Sequence, residues 1–160
     1  MRNSRSDVLF REAAKTDIPA MAQIRAASWG DGEYWEKRML GYMECEIHPQ
    51  KALKPRVVFV ASEKEAVVGL IAGHLTRRYE CDGELEWIDV VAERRGSGIA
   101  TGLLERLAEW FVAQKALRIC VDVQPKNTVA RRFYRKHGAA ELNPHWMVWN
   151  DIRKVLTNRA

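Results

Sequence analysis

The sequence predicts a single domain, residues 1–160, of the mixed α+β class with one central sheet. Its 160-residue length fits one domain with a full core, and 47% hydrophobic residues supply the material for that core. Short strand-like apolar runs and amphipathic helical patterns follow each other in the order β-α-α-β-β-β-α-β-α-β-β. Near the middle, a strand leads through a glycine-rich loop into a long amphipathic helix, which is typical of sheets that bind a ligand at a strand end.

The N-terminal part of the chain predicts one strand and two helices. A short strand precedes a helix that Thr16 or Asp17 caps, and a proline in the first helical turn fits that start. The segment Trp29–Trp35 is predicted to be a loop, and a second helical stretch follows it to about Cys45. The segment "HPQKALKPR" contains two prolines and is predicted to be a connector.

The rest of the chain alternates strands and helices, with turn signals between them. The predicted elements are, in order, the strands "VVFVASE", "AVVGLIAGHLTRR" and "ELEWIDVV", a helix from Gly98 to Gln114, the strand "LRICVDV", a helix in "QPKNTVARRFYRKHG" that ends at Gly138, and the strands "AAEL" and "HWMVWND".

The composition excludes some classes of protein and leaves others open. No run of eighteen apolar residues exists, so no membrane span is expected, and "MRNSRSDVLF" lacks the apolar core of a signal peptide, which predicts a cytoplasmic protein. Three separated cysteines predict reduced thiols, and four histidines at no metal-ligand spacing predict no metal site. The net charge of +5 is a mild bias toward anionic partners.

The glycine-rich loop matches one of three phosphate-binding patterns. No Gly-Lys pair follows the glycines, so the mononucleotide P-loop pattern fails. The dinucleotide pattern needs a third glycine where Thr101 stands, and Gly102 comes one position late, although Asp122 at the end of the next strand keeps this alternative open. The pattern [QR]-x-x-G-x-[GA] is matched at every fixed position by the segment Arg95–Ala100.

A physical reason links these residue types to phosphate. The start of a helix offers unpaired N–H donors and the positive end of the helix dipole, and small residues let phosphate oxygens approach the backbone. Arg95 is expected to add charge to the phosphate site, whereas Arg94 is equally well explained as a solvated flank. Gly102, inside the helix, is expected to serve close packing rather than ligand contact.

At this point the sequence resembles the GNAT superfamily of acyl-CoA-dependent N-acetyltransferases. A second family pattern, N-x-x-A-x-x-x-Y-x-x-x-G, is matched downstream by Asn127, Ala130, Tyr134 and Gly138. The resemblance covers the element order from about Leu9 to Asp151. It implies a mixed, mostly antiparallel sheet of about six or seven strands, flanked by about four helices, with a splayed strand pair that holds acetyl-CoA.

The resemblance also implies which residues bind the cofactor. The pantetheine arm would lie along the backbone of the strand before the loop, and the pyrophosphate would lie on the loop and the helix start. The residues carried over to this role are Ile88, Asp89, Val90, Val91, Arg95, Gly96, Ser97, Gly98, Ile99, Ala100, Thr101 and Asn127, the last of which is also a good helix N-cap.

The same resemblance suggests the catalytic groups. Tyr134 matches the family's proton donor to the departing thiolate, and the alternative is an ordinary half-buried aromatic residue. Glu84 and Glu86 lie two apart on one strand, so they share a face, and either could accept the amine proton directly or through water. The alternative is that both are exposed edge charges. Asp89 is expected on the opposite face and is the weaker candidate for a base.

The acceptor is expected to be a primary amine, with a cationic amine favoured. Two acidic and aromatic segments, 28–44 and 79–86, would meet over the thioester, with Trp29, Tyr34 and Trp35 as candidate acceptor-binding residues. A helix packing stripe explains the aromatics equally well. A polyamine, an amino sugar and a lysine or N-terminus of a protein all remain open.

Two other classes of function compete with an enzyme. The pI of about 9.3 and the basic segment Arg131–Lys136 suggest a nucleic-acid-binding module, although helical spacing spreads these charges around the axis, which makes nucleic acid the weaker partner. A non-catalytic acyl-CoA sensor would keep the phosphate site without turnover. The oligomeric state is open between a monomer and a homodimer.

Overall fold

The computed structural model describes residues 7–157. This part of the chain folds into seven strands and five helices, with three short 3-10 turns between them. The elements are β1 Val8–Glu12, α1 Ile18–Trp29, α2 Gly32–Met43, β2 Ala52–Glu63, β3 Ala66–Thr76, β4 Gly83–Val90, α3 Ile99–Ala113, β5 Ile119–Asp122, α4 Thr128–Lys136, β6 Ala140–Asn143, β7 Trp146–Trp149 and α5 Arg153–Thr157.

All seven strands belong to one mixed sheet in the order β1-β2-β3-β4-β5-β7-β6. Every neighbouring pair is antiparallel except β4 and β5, which are parallel. The predicted α+β class, the element order and the mostly antiparallel sheet are therefore confirmed. The short helix α5 adds a fifth helix to the four that were expected.

Apolar side chains cover both faces of the sheet. On one face α3 buries Leu103, Leu107 and Phe111 completely or nearly so, against β3, β4 and β5. On the other face, α1 and α2 bury a second cluster that includes Met39 and Trp87. Within residues 7–157, no helix is both long enough and apolar enough to cross a membrane.

Two predicted boundaries were wrong. The helix α2 already begins at Gly32, inside the predicted loop, because the Asp31 side chain accepts a hydrogen bond from the Tyr34 N–H at 3.1 Å and caps the helix. The strand β2 begins at Ala52, inside the predicted connector, and its pairing with β3 is irregular up to Arg56. Because the pairing is irregular there, the strand can include the proline that predicted a connector.

A bulge in β4 changes which side chains share a face. Ala72 of β3 pairs with Trp87, and the next residue, Gly73, pairs with Leu85, so Glu86 has no Cα partner. Leu85 therefore packs on the α3 side of the sheet, whereas Trp87, two residues later, packs on the α1–α2 side. Simple alternation along the strand fails at this place.

The parallel pair β4 and β5 separates after three residues. The pairing runs from Gly83 opposite Ile119 to Leu85 opposite Val121. Beyond Leu85, β4 continues to Val90 without a partner on that side among the described strands. A gap therefore opens in the sheet, and the glycine-rich loop lies at its end.

Candidate active site

The glycine-rich loop takes a conformation that requires glycine at two positions. After β4 comes a 3-10 turn over Ala92–Arg94, and then Gly96 and Gly98 adopt φ angles of 78° and 89°. Residues with a Cβ rarely take positive φ angles, so these glycines let the chain reverse and enter α3. Gly102 has a different role, since a Cβ there would come within 2.3 Å of the Phe10 ring, which confirms its predicted packing function.

The start of α3 is a set of free N–H donors. Gly98 is the N-cap residue and has no side chain that could cap the helix. The N–H groups of Ile99, Ala100 and Thr101 therefore have no acceptor within the helix and point out of its first turn. Together with the positive end of the helix dipole, they form a site that suits a phosphate group.

The two loop arginines differ in their contacts. Arg94 donates from Nη2 to Glu63 Oε2 at 2.7 Å, so its charge is balanced by the end of β2. Arg95 is exposed, its Nε donates to the Val90 carbonyl at 3.3 Å, and its guanidinium forms no salt bridge with a carboxylate of residues 7–157. Of the two, Arg95 is therefore the arginine available to an anionic ligand.

Other predicted cofactor residues also hold the local structure. The Ser97 hydroxyl donates to the Arg94 carbonyl and tightens the loop. Thr101 Oγ1 lies 3.2 Å from His137 Nε2, which connects the start of α3 to the end of α4. Burial, together with the nearby Lys136 charge, lowers the pKa of His137, so this imidazole is neutral at pH 7.

Asn127 caps helix α4, and Tyr134 lies within that helix. The Asn127 side chain accepts a hydrogen bond from the Ala130 N–H at 3.1 Å, so the predicted capping role is confirmed. Tyr134 is 5% exposed, and its ring meets Trp149 edge to face at 5.6 Å. Its hydroxyl makes no hydrogen bond to any group within residues 7–157. Burial first, and then the Asp89 charge, raise the pKa of Tyr134, which keeps the phenol protonated.

The two candidate bases have different surroundings. Glu84 is 5% exposed, and its Oε1 lies 3.4 Å from Arg78 Nε and 3.6 Å from His74 Nε2. Glu86 is half-buried, and burial followed by the Glu84 charge raises the pKa of its carboxyl group. A carboxylate with a raised pKa and partial access to solvent is better suited to take a proton near neutral pH than a buried, ion-paired one.

The prediction that Asp89 lies on the opposite face from Glu84 was wrong. Asp89 accepts a hydrogen bond from Arg25 of α1, with Nη1 to Oδ2 at 2.7 Å, and so lies on the α1–α2 side. The cause is the β4 bulge at Glu86, which shifts the alternation by one residue. Burial raises the pKa of Asp89, and the Arg25 charge partly offsets this effect.

Two of the candidate acceptor residues, Trp29 and Trp35, lie against a cation that belongs to the protein. The Arg25 guanidinium lies 4.7 Å from the Trp35 ring centre, 5.4 Å from that of Trp29 and 5.9 Å from that of Trp87. Trp35 is thus partly a packing residue, as its alternative interpretation held, whereas Trp29 and Tyr34 are exposed by 54% and 51% and remain accessible.

Sequence reasoning missed several groups that line this face. His74 is fully buried, with Nδ1 2.9 Å from the Tyr42 hydroxyl, and Arg78 lies over the Trp146 ring at 4.6 Å. These residues stand in ordinary strand and turn patterns, so only the antiparallel register brings them to Glu84. No local motif could have identified them.

The basic helix α4 does not present a continuous cationic surface. Arg131 is 8% exposed; it donates to Glu141 Oε1 at 2.9 Å and to the carbonyls of Val123 and Pro144 at 3.2 Å each. This arginine therefore links α4 to the β5–β7 region, which removes one charge from the segment that suggested nucleic-acid binding.

The separated strands, the glycine loop and the helix start together match a known family. The family model described as "Acetyltransferase (GNAT) family" matches residues 18–139, which is more than half of the chain. The chain belongs to this acetyltransferase family. It is an acyl-CoA-dependent enzyme, and acetyl-CoA is its cofactor. No curated protein shows significant sequence similarity to it.

Solved structures of low sequence identity share the fold. The PaiA N-acetyltransferase from Thermoplasma acidophilum, in complex with coenzyme A, has 15% identity and a TM-score of 0.70 over 88% of this chain and 96% of that one. An aminoglycoside 6′-acetyltransferase type Ii has 17% identity and a TM-score of 0.71 over 90% and 97%. A ribosomal-protein-alanine N-acetyltransferase from Brucella melitensis has 21% identity and a TM-score of 0.66 over 88% and 96%.

Proposed function

We propose that the protein transfers the acetyl group of acetyl-CoA to a primary amine by direct attack of the amine on the thioester. One observation carries the proposal. The unpaired stretch of β4 begins at Glu86, a candidate base, and ends at the glycine loop. It includes Asp89, whose charge contributes to the raised pKa of Tyr134. A candidate proton acceptor and the free N–H donors at the start of α3 would thus lie along one open strand edge, with the candidate proton donor Tyr134 on the neighbouring helix α4.

The residues in the gap fit the cofactor. Gly96 and Gly98 leave the loop without side chains at its turn, and the first N–H groups of α3 have no partner in the helix. These groups and Arg95 would hold the pyrophosphate, and the unpaired backbone of Ile88–Val91 would hold the pantetheine arm. When bound, acetyl-CoA supplies a thioester that reacts with a neutral amine.

Glu86 is the preferred group to remove the proton of the amine. An amine arrives mostly as ammonium at pH 7, so a proton must leave before attack. The pKa of Glu86 is raised above that of an exposed glutamate, so its carboxylate is the stronger base. Glu84, fixed between His74 and Arg78, is proposed to orient Glu86 and raise its pKa by repulsion.

Tyr134 is the preferred group to protonate the departing thiolate. Its hydroxyl is not engaged with another described group, and its raised pKa keeps the proton in place at physiological pH. After burial, the Asp89 charge raises the pKa of the phenol and the Arg25 charge lowers it.

The acceptor is proposed to be a cationic amine, on a small molecule or on a protein. Support comes from the exposed aromatic rings of Trp29 and Tyr34, which belong to α1 and α2, the helices that pack on the side of the sheet where Asp89 meets Arg25. The proteins of similar fold include enzymes named for an aminoglycoside and for a ribosomal-protein alanine, which are amines of both kinds. A cytoplasmic location is proposed with it, since Cys45, Cys81 and Cys120 are all free thiols.

The test is an amine panel in a thiol-release assay. The purified protein and acetyl-CoA are incubated with polyamines, amino sugars, amino acids and short peptides, and free CoA and acetylated product are both quantified. Product formation with at least one amine class is expected, and cationic amines should outcompete neutral ones of similar size. CoA binding without product for any amine would favour the acyl-CoA sensor instead.

A further inference from the structure

Three metal-ligating side chains converge on the α1–α2 side of β3 and β4. His74 of β3 stands opposite Glu84 of β4 in the antiparallel register, and the bulge keeps Glu86 on the same side. One ligand atom of each residue lies within 4.8 Å of the others. We propose that His74, Glu84 and Glu86 form a Zn²⁺ site, and that zinc bound there inhibits the enzyme.

Two of the ligand atoms are buried without a hydrogen bond. His74 is 0% exposed and Glu84 is 5% exposed, yet His74 Nε2 and Glu84 Oε1 have no hydrogen-bond partner within residues 7–157. The two atoms are 3.6 Å apart, which is too long for a hydrogen bond. Two atoms bound to one tetrahedral zinc ion, each about 2.0–2.1 Å from it, lie roughly 3.4 Å apart. The spacing therefore fits two ligands of one ion.

The other nitrogen of His74 is already fixed. Its Nδ1 lies 2.9 Å from the buried Tyr42 hydroxyl, and burial raises the pKa of Tyr42 well above its usual range. When Nδ1–H donates to this hydroxyl, the lone pair of Nε2 faces the two glutamates. Zinc-binding histidines commonly have their second nitrogen engaged in this way, because the contact fixes both the tautomer and the ring orientation.

The charge of the cluster also favours a divalent cation. Glu84 and Glu86 repel each other, which contributes to the raised pKa of Glu86. Arg78 opposes a metal, since its Nε lies 3.4 Å from Glu84 Oε1. However, Arg78 is also held by the Gln50 carbonyl at 2.7 Å and by the Trp146 ring, so it balances only part of the carboxylate charge. We therefore expect binding that is weaker than at a structural zinc site.

The ligand set selects zinc over the harder cations. Zinc binds both imidazole nitrogen and carboxylate oxygen, whereas Mg²⁺ and Ca²⁺ prefer oxygen ligands alone. Since the proposed base Glu86 is a ligand, zinc would block its proton transfer; this inhibitory part rests on the proposed function. Zinc should therefore compete with the amine and not with acetyl-CoA.

Metal binding is measured on the full chain, treated with a chelator and free of CoA. Competition against a chromophoric zinc chelator should show one Zn²⁺ per chain. Co²⁺ in the same site should give d–d absorption without a thiolate charge-transfer band, since the ligands are nitrogen and oxygen. A thiolate band, or binding that is lost in Cys81→Ser, would place the metal at the cysteines and overturn the proposal.

Glu86→Gln is the main variant, because this half-buried side chain keeps its shape and loses only its charge. Its zinc affinity should fall by at least about tenfold, the lower limit for changes around a bound metal. Asp122→Asn is the matched control: it removes an exposed carboxylate on the neighbouring strand that is not one of the three ligands, and it should keep the wild-type affinity. Equal zinc affinity in the wild type and Glu86→Gln would refute the site.

Kinetics separate this proposal from the proposed function. If the wild type acetylates amines, added Zn²⁺ should raise KM for the amine and leave KM for acetyl-CoA unchanged, and a chelator should reverse the effect. If no amine is acetylated, the binding assay still decides whether the site exists. Acetylation by a chain that binds no zinc would refute only the metal site.

Discussion

Arg25 and Asp89 join α1 to the open end of β4 through a 2.7 Å contact between Nη1 and Oδ2. Both side chains are largely buried, with 14% and 12% exposure, and the guanidinium is enclosed by three tryptophan rings. The pair therefore fixes α1 against the sheet beside the open end of β4.

The first prediction concerns this ion pair. Arg25→Gln removes the guanidinium and leaves Asp89 buried without a counter-ion, so the free energy of unfolding should fall by up to about 3 kcal/mol, the lower end for a broken buried pair. Arg153→Gln is the control, because it breaks the exposed Arg153–Asp151 pair and should have no measurable effect. If both variants lower the free energy of unfolding in urea by the same amount, burial does not strengthen the Arg25–Asp89 pair.

The second prediction concerns the phosphate site. Gly98→Val places a branched side chain at the N-cap of α3, where pyrophosphate would approach, and CoA affinity should fall. Gly30→Val is the matched control: Gly30 also has a positive φ, 73°, a Cβ at this position would meet no atom within 4 Å, and the residue lies far along the chain from the loop. Gly30→Val carries the greater backbone strain, because φ 73° with ψ 170° is a conformation that essentially only glycine adopts, whereas Gly98 has φ 89° and ψ 2°. A loss of CoA affinity that titration calorimetry finds only in Gly98→Val is therefore not explained by strain alone. Unchanged affinity in Gly98→Val would remove the loop from the cofactor site.

Local sequence patterns were sufficient for the seven strands, for four of the five helices and for the glycine loop, although not for every boundary. The loop is readable because positive φ and an uncapped helix start need particular residues at adjacent positions, here Gly96 and Gly98. The start of β2 was missed because the prediction followed a local rule there too. Proline disfavours a strand, and the pairing with β3 that overrides this rule is not visible in the local sequence.

The surroundings of the acids could not be predicted, because they depend on pairing between distant segments. The face of Asp89 depends on a one-residue bulge that only the register of β3 reveals. In the same way, His74 meets Glu84 across two strands, and Arg25 of α1 occupies the space between Trp29 and Trp35 that was assigned to a substrate cation.

The third prediction tests the proton donor. Tyr134→Phe removes a hydroxyl that bonds to no described group, so stability and CoA affinity should be nearly unchanged. Turnover should fall by about 10²–10⁴-fold, the usual contribution of a positioned general acid. Thermal unfolding and CoA titration of Tyr134→Phe are the controls, because loss of a structural contact would change them whereas loss of a proton donor would not. Wild-type turnover in Tyr134→Phe would show that water or another group donates the proton.

The fourth prediction separates packing from acceptor binding among the tryptophans. Trp35 packs edge to face on Trp87 at 6.1 Å and covers Arg25, so Trp35→Leu should lower the unfolding free energy. Trp29 is 54% exposed, so Trp29→Leu should change stability little and instead raise KM for the amine. Thermal unfolding and steady-state kinetics on the two variants decide the point. An unchanged KM in Trp29→Leu would exclude Trp29 from the acceptor site.

The last prediction separates the roles of the two glutamates by pH. The raised pKa of Glu86 lies above 4.5, the usual value for glutamate, and the ionised form is the base. As pH falls through that pKa, Glu86 gains a proton and kcat should fall, whereas activity should rise with pH through the neutral to alkaline range as more amine loses its proton. Glu86→Gln should lower kcat and flatten the acid limb of the profile, because the titrating base is gone.

Glu84→Gln should act differently, because Glu84 is buried between Arg78 and His74. Its loss leaves the Arg78 charge with less compensation, so stability should fall. It also removes the repulsion that raises the pKa of Glu86, so the acid limb should move to lower pH and remain present. Full pH profiles of kcat for both variants, measured with the best amine from the panel, make this comparison. A flattened profile in Glu84→Gln together with a normal one in Glu86→Gln would assign the base to Glu84 and leave Glu86 as the group that tunes it.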